Sequence, residues 1–322
     1  MIKATVCLPT YNGQEFLAEL LKQLFKQECA FEFEVLIIDS GSTDDTLKII
    51  SKYPKVRLHQ IPNTEFGHGK TRNLGAKMAK GEFVVYLTQD AVPAHKYWLE
   101  SMLEPFAVSD KVYCVFGKQV PRGNCTIHIK REVYSVFKNL GPDHAIMLHR
   151  KNTLNTDRPT KDPMTFFSDV NSAVRRDYIL NKIPFRDVKY AEDQALGTDA
   201  LEAGYIKAYA PMGSVFHSHN YPLKKFFHRK FDEYVGLADT GVATPHYGPL
   251  TAVLSVFKST LLDWNFIARD GQYKLKHKAY NFVVSPLYNI ALVVAVNTAG
   301  NKKLRDKHRQ RLSLEARSKP KS

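Results

Sequence analysis

Three clusters of polar and acidic side chains each follow an apolar, strand-like run: Pro9-Thr10-Tyr11-Asn12, Asp39-Ser40-Gly41-Ser42-Thr43-Asp44 and Thr88-Gln89-Asp90. In an open α/β sheet, ligands bind beyond the carboxyl ends of the strands, so three such clusters in register would line one edge. A phosphorylated ligand held there needs its charge neutralised. The sequence excludes the usual backbone cradles. The glycine that a P-loop requires five residues before Gly69-Lys70-Thr71 is Thr64, and no G-x-G-x-x-G follows the first run. A diphosphate would then need a divalent ion on carboxylates, with Lys or Arg beside it. Asp90 is a suitable ligand and Arg72 a suitable cation. No Ser–His or Cys–His arrangement suggests a covalent nucleophile.

The elements that must hold these residues are legible in the apolar spacing. Residues 4–8, 35–38, 56–61 and 83–87 are short aliphatic or β-branched runs, of the kind buried on both faces of a sheet. Phe16, Leu17, Leu20, Leu21, Leu24 and Phe25 fall at helical spacing. A second helix starts near the capping-box pattern at residues 42–45, and a third covers about 71–79. This alternation predicts a parallel sheet covered by helices. Residues 121–190 carry fewer signals, and 151–163 reads as a long loop.

Net charge is +14, unevenly spread: residues 1–223 hold 28 Lys/Arg against 25 Asp/Glu, and residues 224–322 hold 18 against 7. The pattern divides the chain into a domain at 1–223 that carries the clusters and a helical, basic region at 224–322 that meets something anionic. A basic helix is read at 223–236 and an apolar one at 250–262, interrupted by Lys258. Residues 279–301 are uncharged, which is long enough to span a bilayer. Against spanning, the stretch contains Pro286, and Asn281, Asn289 and Asn297 recur every eight residues as one polar face. With the basic tail at 302–321, an amphipathic helix lying on an anionic membrane surface is expected. Basic residues are not interleaved with aromatics, so nucleic acid is not an expected partner. Cys7, Cys29, Cys114 and Cys125 form no C-x-x-C pair, and the first residues lack a secretory signal pattern. Both point to the cytoplasmic side.

Taken together, residues 5–12 (Thr-Val-Cys-Leu-Pro-Thr-Tyr-Asn), 37–44 (Ile-Ile-Asp-Ser-Gly-Ser-Thr-Asp) and Lys70-Thr71-Arg72-Asn73-Leu74-Gly75 resemble the family 2 glycosyltransferases of GT-A fold. Residues 66–73, 87–93 and His217-Ser218-His219-Asn220-Tyr221 are similar to the bacterial rhamnosyltransferase branch. The resemblance covers about residues 3–236. It implies a GT-A-type, Rossmann-like mixed sheet flanked by helices, with a mainly helical C-terminal region.

The resemblance also implies roles. Asp39 would bond the nucleotide base, with Pro9, Thr10, Tyr11, Asn12, Ser40 and Gly41 shaping the donor pocket. Asp90 matches the last acid of the family's D-x-D metal motif, whose other positions here are Thr88 and Gln89; the ion would be Mg2+ or Mn2+. His217 and His219 would add metal or diphosphate contacts, and alternation on a strand would turn both to the site. Lys70, Arg72 and Arg229 would meet the donor's charge. In residues 190–196 (Tyr-Ala-Glu-Asp-Gln-Ala-Leu), Asp193 matches the general base and Glu192 its support. Acids are favoured in any first helical turn, so the resemblance decides this role. The reaction implied is inverting transfer from a nucleotide-sugar, dTDP-L-rhamnose in this branch, to a lipid-linked glycan. Another UDP- or dTDP-sugar, or a nucleotidyl transfer at phosphorus, are the alternatives.

Overall fold

The aliphatic runs at the start of the chain fold as strands, and the sheet they begin is the frame of the site. A computed structural model describes residues 2–151, 166–188, 191–239 and 245–314. Its strands are β1 (Ala4–Thr10), β2 (Phe33–Asp39), β3 (Val56–Gln60), β4 (Phe83–Leu87), β5 (Val92–Pro93), β6 (Val112–Val120), β7 (Met147–His149), β8 (Asn171–Arg175) and β9 (Ile206–Phe216). Its helices are α1 (Leu17–Leu24), α2 (Thr46–Ile50), α3 (His68–Met78), α4 (Trp98–Leu103), α5 (Ile127–Lys138), α6 (Arg176–Asn181), α7 (Glu192–Glu202), α8 (Leu223–Asp239), α9 (Pro249–Arg269), α10 (Leu275–Gly300) and α11 (Lys302–Leu312). Tyr190, most of the loop read at 151–163 and the end of the basic tail lie outside the described residues. Two compact units form, Met1–Val120 with Ser135–His217, and Pro121–Tyr134 with Ser218–Ser322. The excursion at 121–134 has no counterpart in a division at residue 223.

In the first unit the strand order is β3-β2-β1-β4-β8-β6-β9-β5, with β7 also on β9. The β3-β2-β1-β4 half is parallel. β8 runs antiparallel to both β4 and β6, so the sheet is mixed, where strand–helix alternation alone predicts a parallel one. Leu17, Leu20, Leu21 and Leu24 put one face of α1 on the β1–β2 surface, fully buried with Val6, Leu8 and Ile37. Each such leucine stabilises the fold by roughly 1.5–3 kcal/mol. The capping box expected at 42–45 does not form. Ser42 turns its hydroxyl to Asp39, and Asp44 accepts from the Thr46 amide instead.

In the second unit, α9 continues through Lys258 to Arg269 without a break. The asparagine face of α10 points inward. Asn281 accepts from the Ile127 amide, Asn289 donates to Asp263, and Asn297 bonds Tyr247 through both amide atoms. Asp263 is fully buried between Arg131, His128, Ser285 and Asn289. Burial pushes its carboxyl up, but the bonds from His128, Ser285 and Arg131 outweigh this and hold it at about 2.

Candidate active site

Register explains how the three polar clusters meet. Thr10 pairs with Asp39 across β1–β2, and Cys7 pairs with Tyr86 across β1–β4, so Gln89 comes level with Thr10 and Tyr11. The Gln89 side chain then bonds the Tyr11 backbone in both directions, accepting from its N–H at 2.9 Å and donating to its carbonyl at 3.0 Å. Gln89 thus works as a clamp between two strand ends. Thr88 ties its own amide to the Val170 carbonyl. Asn12 sits in the left-handed region at φ 49°, where its side chain accepts from Thr43 N–H and its amide donates to Ser42. Asp39 is fully buried and accepts four bonds, from Thr10 Oγ1, Ser42 Oγ and the Gly41 and Ser42 amides. That fills the roughly four lone-pair sites of a carboxylate, so Asp39 holds the loop and would have to exchange a partner to meet a base. Gly41 allows the tight return at φ 85°, and Ser40 donates to Thr10 through both its amide and its hydroxyl. Half-buried Pro9 and exposed Tyr11, Asn12 and Gly41 remain at the surface of the edge.

Val92 pairs with Phe216 antiparallel, which brings the residues before β5 against those after β9. Asp90 Oδ2 lies 3.4 Å from His217 Nε2, and His219, two residues along the chain, belongs to the same set of candidate ligands. Both histidines follow the end of β9, so strand alternation does not place them. The Gln119 amide nitrogen donates to Ser168 Oγ, leaving its oxygen 2.9 Å from His217 Nδ1. This contact orients the ring with Nε2 toward Asp90, and the carboxylate and imidazole together offer a cation two ligand atoms. Gln119 belongs to no motif, and no local spacing singles it out. The His219 ring stacks on Tyr221, and Arg229, exposed on α8, lies over the same Tyr221 ring.

The second cluster is acidic and buried. On α3, Gly69 packs where a Cβ would meet the Arg186 carbonyl at 2.2 Å, and Asn73 bonds the Phe185 backbone through both amide atoms. This close approach carries Arg72 to the carboxylates, where Nε lies 3.1 Å from Asp169 and Nη1 2.5 Å from Glu192. Arg72, expected beside a diphosphate, is therefore committed to acids, whereas Lys70 is exposed. Asp169 escaped sequence reasoning, since it belongs to no motif and precedes β8 without a spacing signal. Its amide donates to Asp193 Oδ2 at 3.3 Å, and the Gln194 amide donates to Oδ1 at 2.8 Å. Burial pushes the Asp169 carboxyl up to about 7, with Arg72 opposing and Asp193 adding to the rise. Asp193 is raised as well, by burial first and by Glu192 second. The residue before the pair, Ala191, holds a left-handed backbone at φ 57°. Such strain, of order 1–3 kcal/mol, is commonest at functional sites.

Residues 5–181 match the sequence model of glycosyl transferase family 2. The chain is a family 2 glycosyltransferase. It is 30% identical over 237 residues to the O-antigen chain rhamnosyltransferase RfbN of Salmonella typhimurium, covering 72% of this chain and 71% of that one. To WbaN of Salmonella anatum, also an O-antigen chain rhamnosyltransferase, it is 34% identical over 233 residues, 71% and 70% of the two chains. The glycosyltransferase also shares its fold with residues 1–349 of S. aureus TarS, solved with UDP. That likeness has a TM-score of 0.50 at 21% identity and covers 96% of this chain and 92% of the other. The family and the mixed GT-A-type sheet expected from the motifs are those found.

Proposed function

We propose that this glycosyltransferase moves L-rhamnose from dTDP-L-rhamnose onto a hydroxyl of a lipid-linked glycan precursor, with inversion, at the cytoplasmic face of the membrane. The observation that carries the reading is the identity of 30% and 34% to two O-antigen chain rhamnosyltransferases over most of both chains. Asp193 is the base. It is half-buried at the start of α7 with its carboxyl raised toward the working pH, which suits proton transfer. It takes the proton of the acceptor hydroxyl as that oxygen attacks the anomeric carbon, and the nucleoside diphosphate leaves. Glu192 and Asp169 hold Arg72, which limits how far the Asp193 carboxyl rises. Pro9, Thr10, Tyr11, Asn12, Asp39, Ser40, Gly41, Thr88 and Gln89 frame the donor pocket, and Lys70 supplies charge to it.

Asp90, His217 and His219 would hold a divalent ion, and two imidazoles beside one carboxylate suit Mn2+ better than Mg2+, which prefers oxygen ligands. Such an ion, when bound, neutralises charge on the leaving diphosphate. The test is a panel of nucleotide-sugars scored for nucleoside diphosphate release, with and without EDTA. Release from dTDP-L-rhamnose, lost in EDTA and in Asp90→Ala, is the expected result. Turnover of a UDP-sugar alone would overturn the donor, activity unchanged in EDTA would overturn the metal, and pyrophosphate as product would point to nucleotidyl transfer.

A further inference from the structure

The two long helices of the second unit carry apolar stripes on their outer faces. On α9, Leu250, Val253, Leu254, Phe257 and Leu261 are exposed and trace one helical stripe. On α10, Val283, Leu287, Ile290 and Val294 do the same, with Val283 72% exposed and Val253 66%. The faces turned inward set Asp263, Ser285 and Asn289 among Ile267, Tyr288, Val293 and Val296. A helix on a water-soluble surface keeps its outer face polar, and exposed apolar stripes of this length mark an interaction surface.

Charge selects the partner. The end of α9, the turn after it and the first turn of α10 hold Arg269, Lys274, Lys276 and Lys278 against Asp270, whose carboxylate is already bonded by Lys130 at 2.6 Å. Beyond the uncharged stretch at 279–301, α11 carries Lys302, Lys303, Arg305, Lys307, Arg309 and Arg311 against Asp306. Basic groups therefore flank the apolar α10 at both ends. A second copy of this chain would bring like charge against like, whereas anionic headgroups complement both ends at once. A helix crossing the bilayer would leave one basic cluster on the far side, against the usual positive-inside asymmetry.

We propose that the outer stripes of α9 and α10 dock in the plane of an anionic bilayer, apolar side chains at the acyl boundary and basic ends among the headgroups. The use of this docking, to bring the site to a lipid-linked acceptor, rests on the function proposed above. The surface itself does not depend on the donor sugar.

The full chain is co-sedimented with phosphatidylcholine vesicles and with vesicles containing phosphatidylglycerol, beside a Val253→Glu/Val283→Glu double variant. Both positions are mostly exposed, so melting temperature and dTDP-L-rhamnose hydrolysis in lipid-free buffer should match the parent. The expected result is at least tenfold stronger binding of the parent to anionic vesicles, weakened by salt, and at least tenfold loss in the double variant. Undiminished vesicle binding by the variant overturns the proposal. So does a parent that binds no vesicle and is a dimer in sedimentation velocity while the variant is a monomer. Failure to hydrolyse dTDP-L-rhamnose with vesicle binding intact counts against the donor and leaves the docking standing.

Discussion

Asp169 in the first unit and Asp263 in the second are both buried carboxylates beside an arginine, yet their titrations are displaced in opposite directions. Asp169 is pushed up to about 7, and Asp263 is held at about 2. Burial raises any carboxyl, so the difference lies in the company each keeps. Arg72 is divided among Asp169, Glu192 and Asp193, and one positive charge cannot satisfy three acids. Asp263 instead faces Arg131, His128, Ser285 and Asn289, which all donate to it or stand ready to. An arginine shared among acids leaves a proton poised to move, whereas donors gathered on a single acid make a lock.

The contrast is broken most directly at Asp193. Asp193→Asn should lower turnover by about 10²–10⁴ with donor affinity nearly kept, the usual share of general acid–base catalysis. Steady-state kinetics beside donor binding by calorimetry decide this, and parent-like turnover would remove Asp193 from the mechanism. The lock should answer in stability instead. Asp263→Ala leaves Arg131 and two helices without their common acceptor and should cost about 3–5 kcal/mol, read by urea unfolding. An unchanged midpoint would mean that the second unit does not depend on that cluster.

The smallest effect, and the sharpest, is in pH. The folded value for Asp169 lies above the ordinary 3.8, so the native state keeps a proton that the unfolded chain has released. Its contribution to stability is present below pH 4 and is lost as pH rises through 7. Asp263 is the opposite case, contributing above pH 4 and losing that contribution as pH falls toward 2. Asp169→Asn, among Arg72, Asp193, Glu192 and Ser172, should therefore flatten the decline in unfolding free energy between pH 4 and 7. A decline as steep as that of the parent would place the poised proton elsewhere.

How far the sequence reached follows from the range of each interaction. β4 was read to the residue and β1 to β3 within two or three residues, because a short run of Val, Ile and Leu has few other uses. The polar strand ends were legible too, since a strand must stop where its apolar run stops. The pairing of Arg72 with Glu192, 120 residues away, was not legible, because no local pattern reports it. Asp169 and Gln119 were invisible for the same reason. The asparagines of α10 are legible as one face but its direction is not, since periodicity fixes which residues share a face and not what the face meets. The inward direction becomes visible only with Asp263 in place beneath them.

Residues 121–134 leave the first unit after β6 and complete the second, and this has a consequence in time. During synthesis the segment emerges early, with Arg131 waiting for an acceptor that lies 132 residues further along the chain. At roughly 5–20 residues per second the wait is on the order of ten seconds. The sheet can close once β9 is out, while Ile127 and Lys130 still lack the helices and the Asp270 carboxylate that will bury them. A chain cut anywhere before residue 263 would keep that wait indefinitely, so the catalytic sheet cannot be isolated by trimming the helical end without also replacing the segment that was waiting for it.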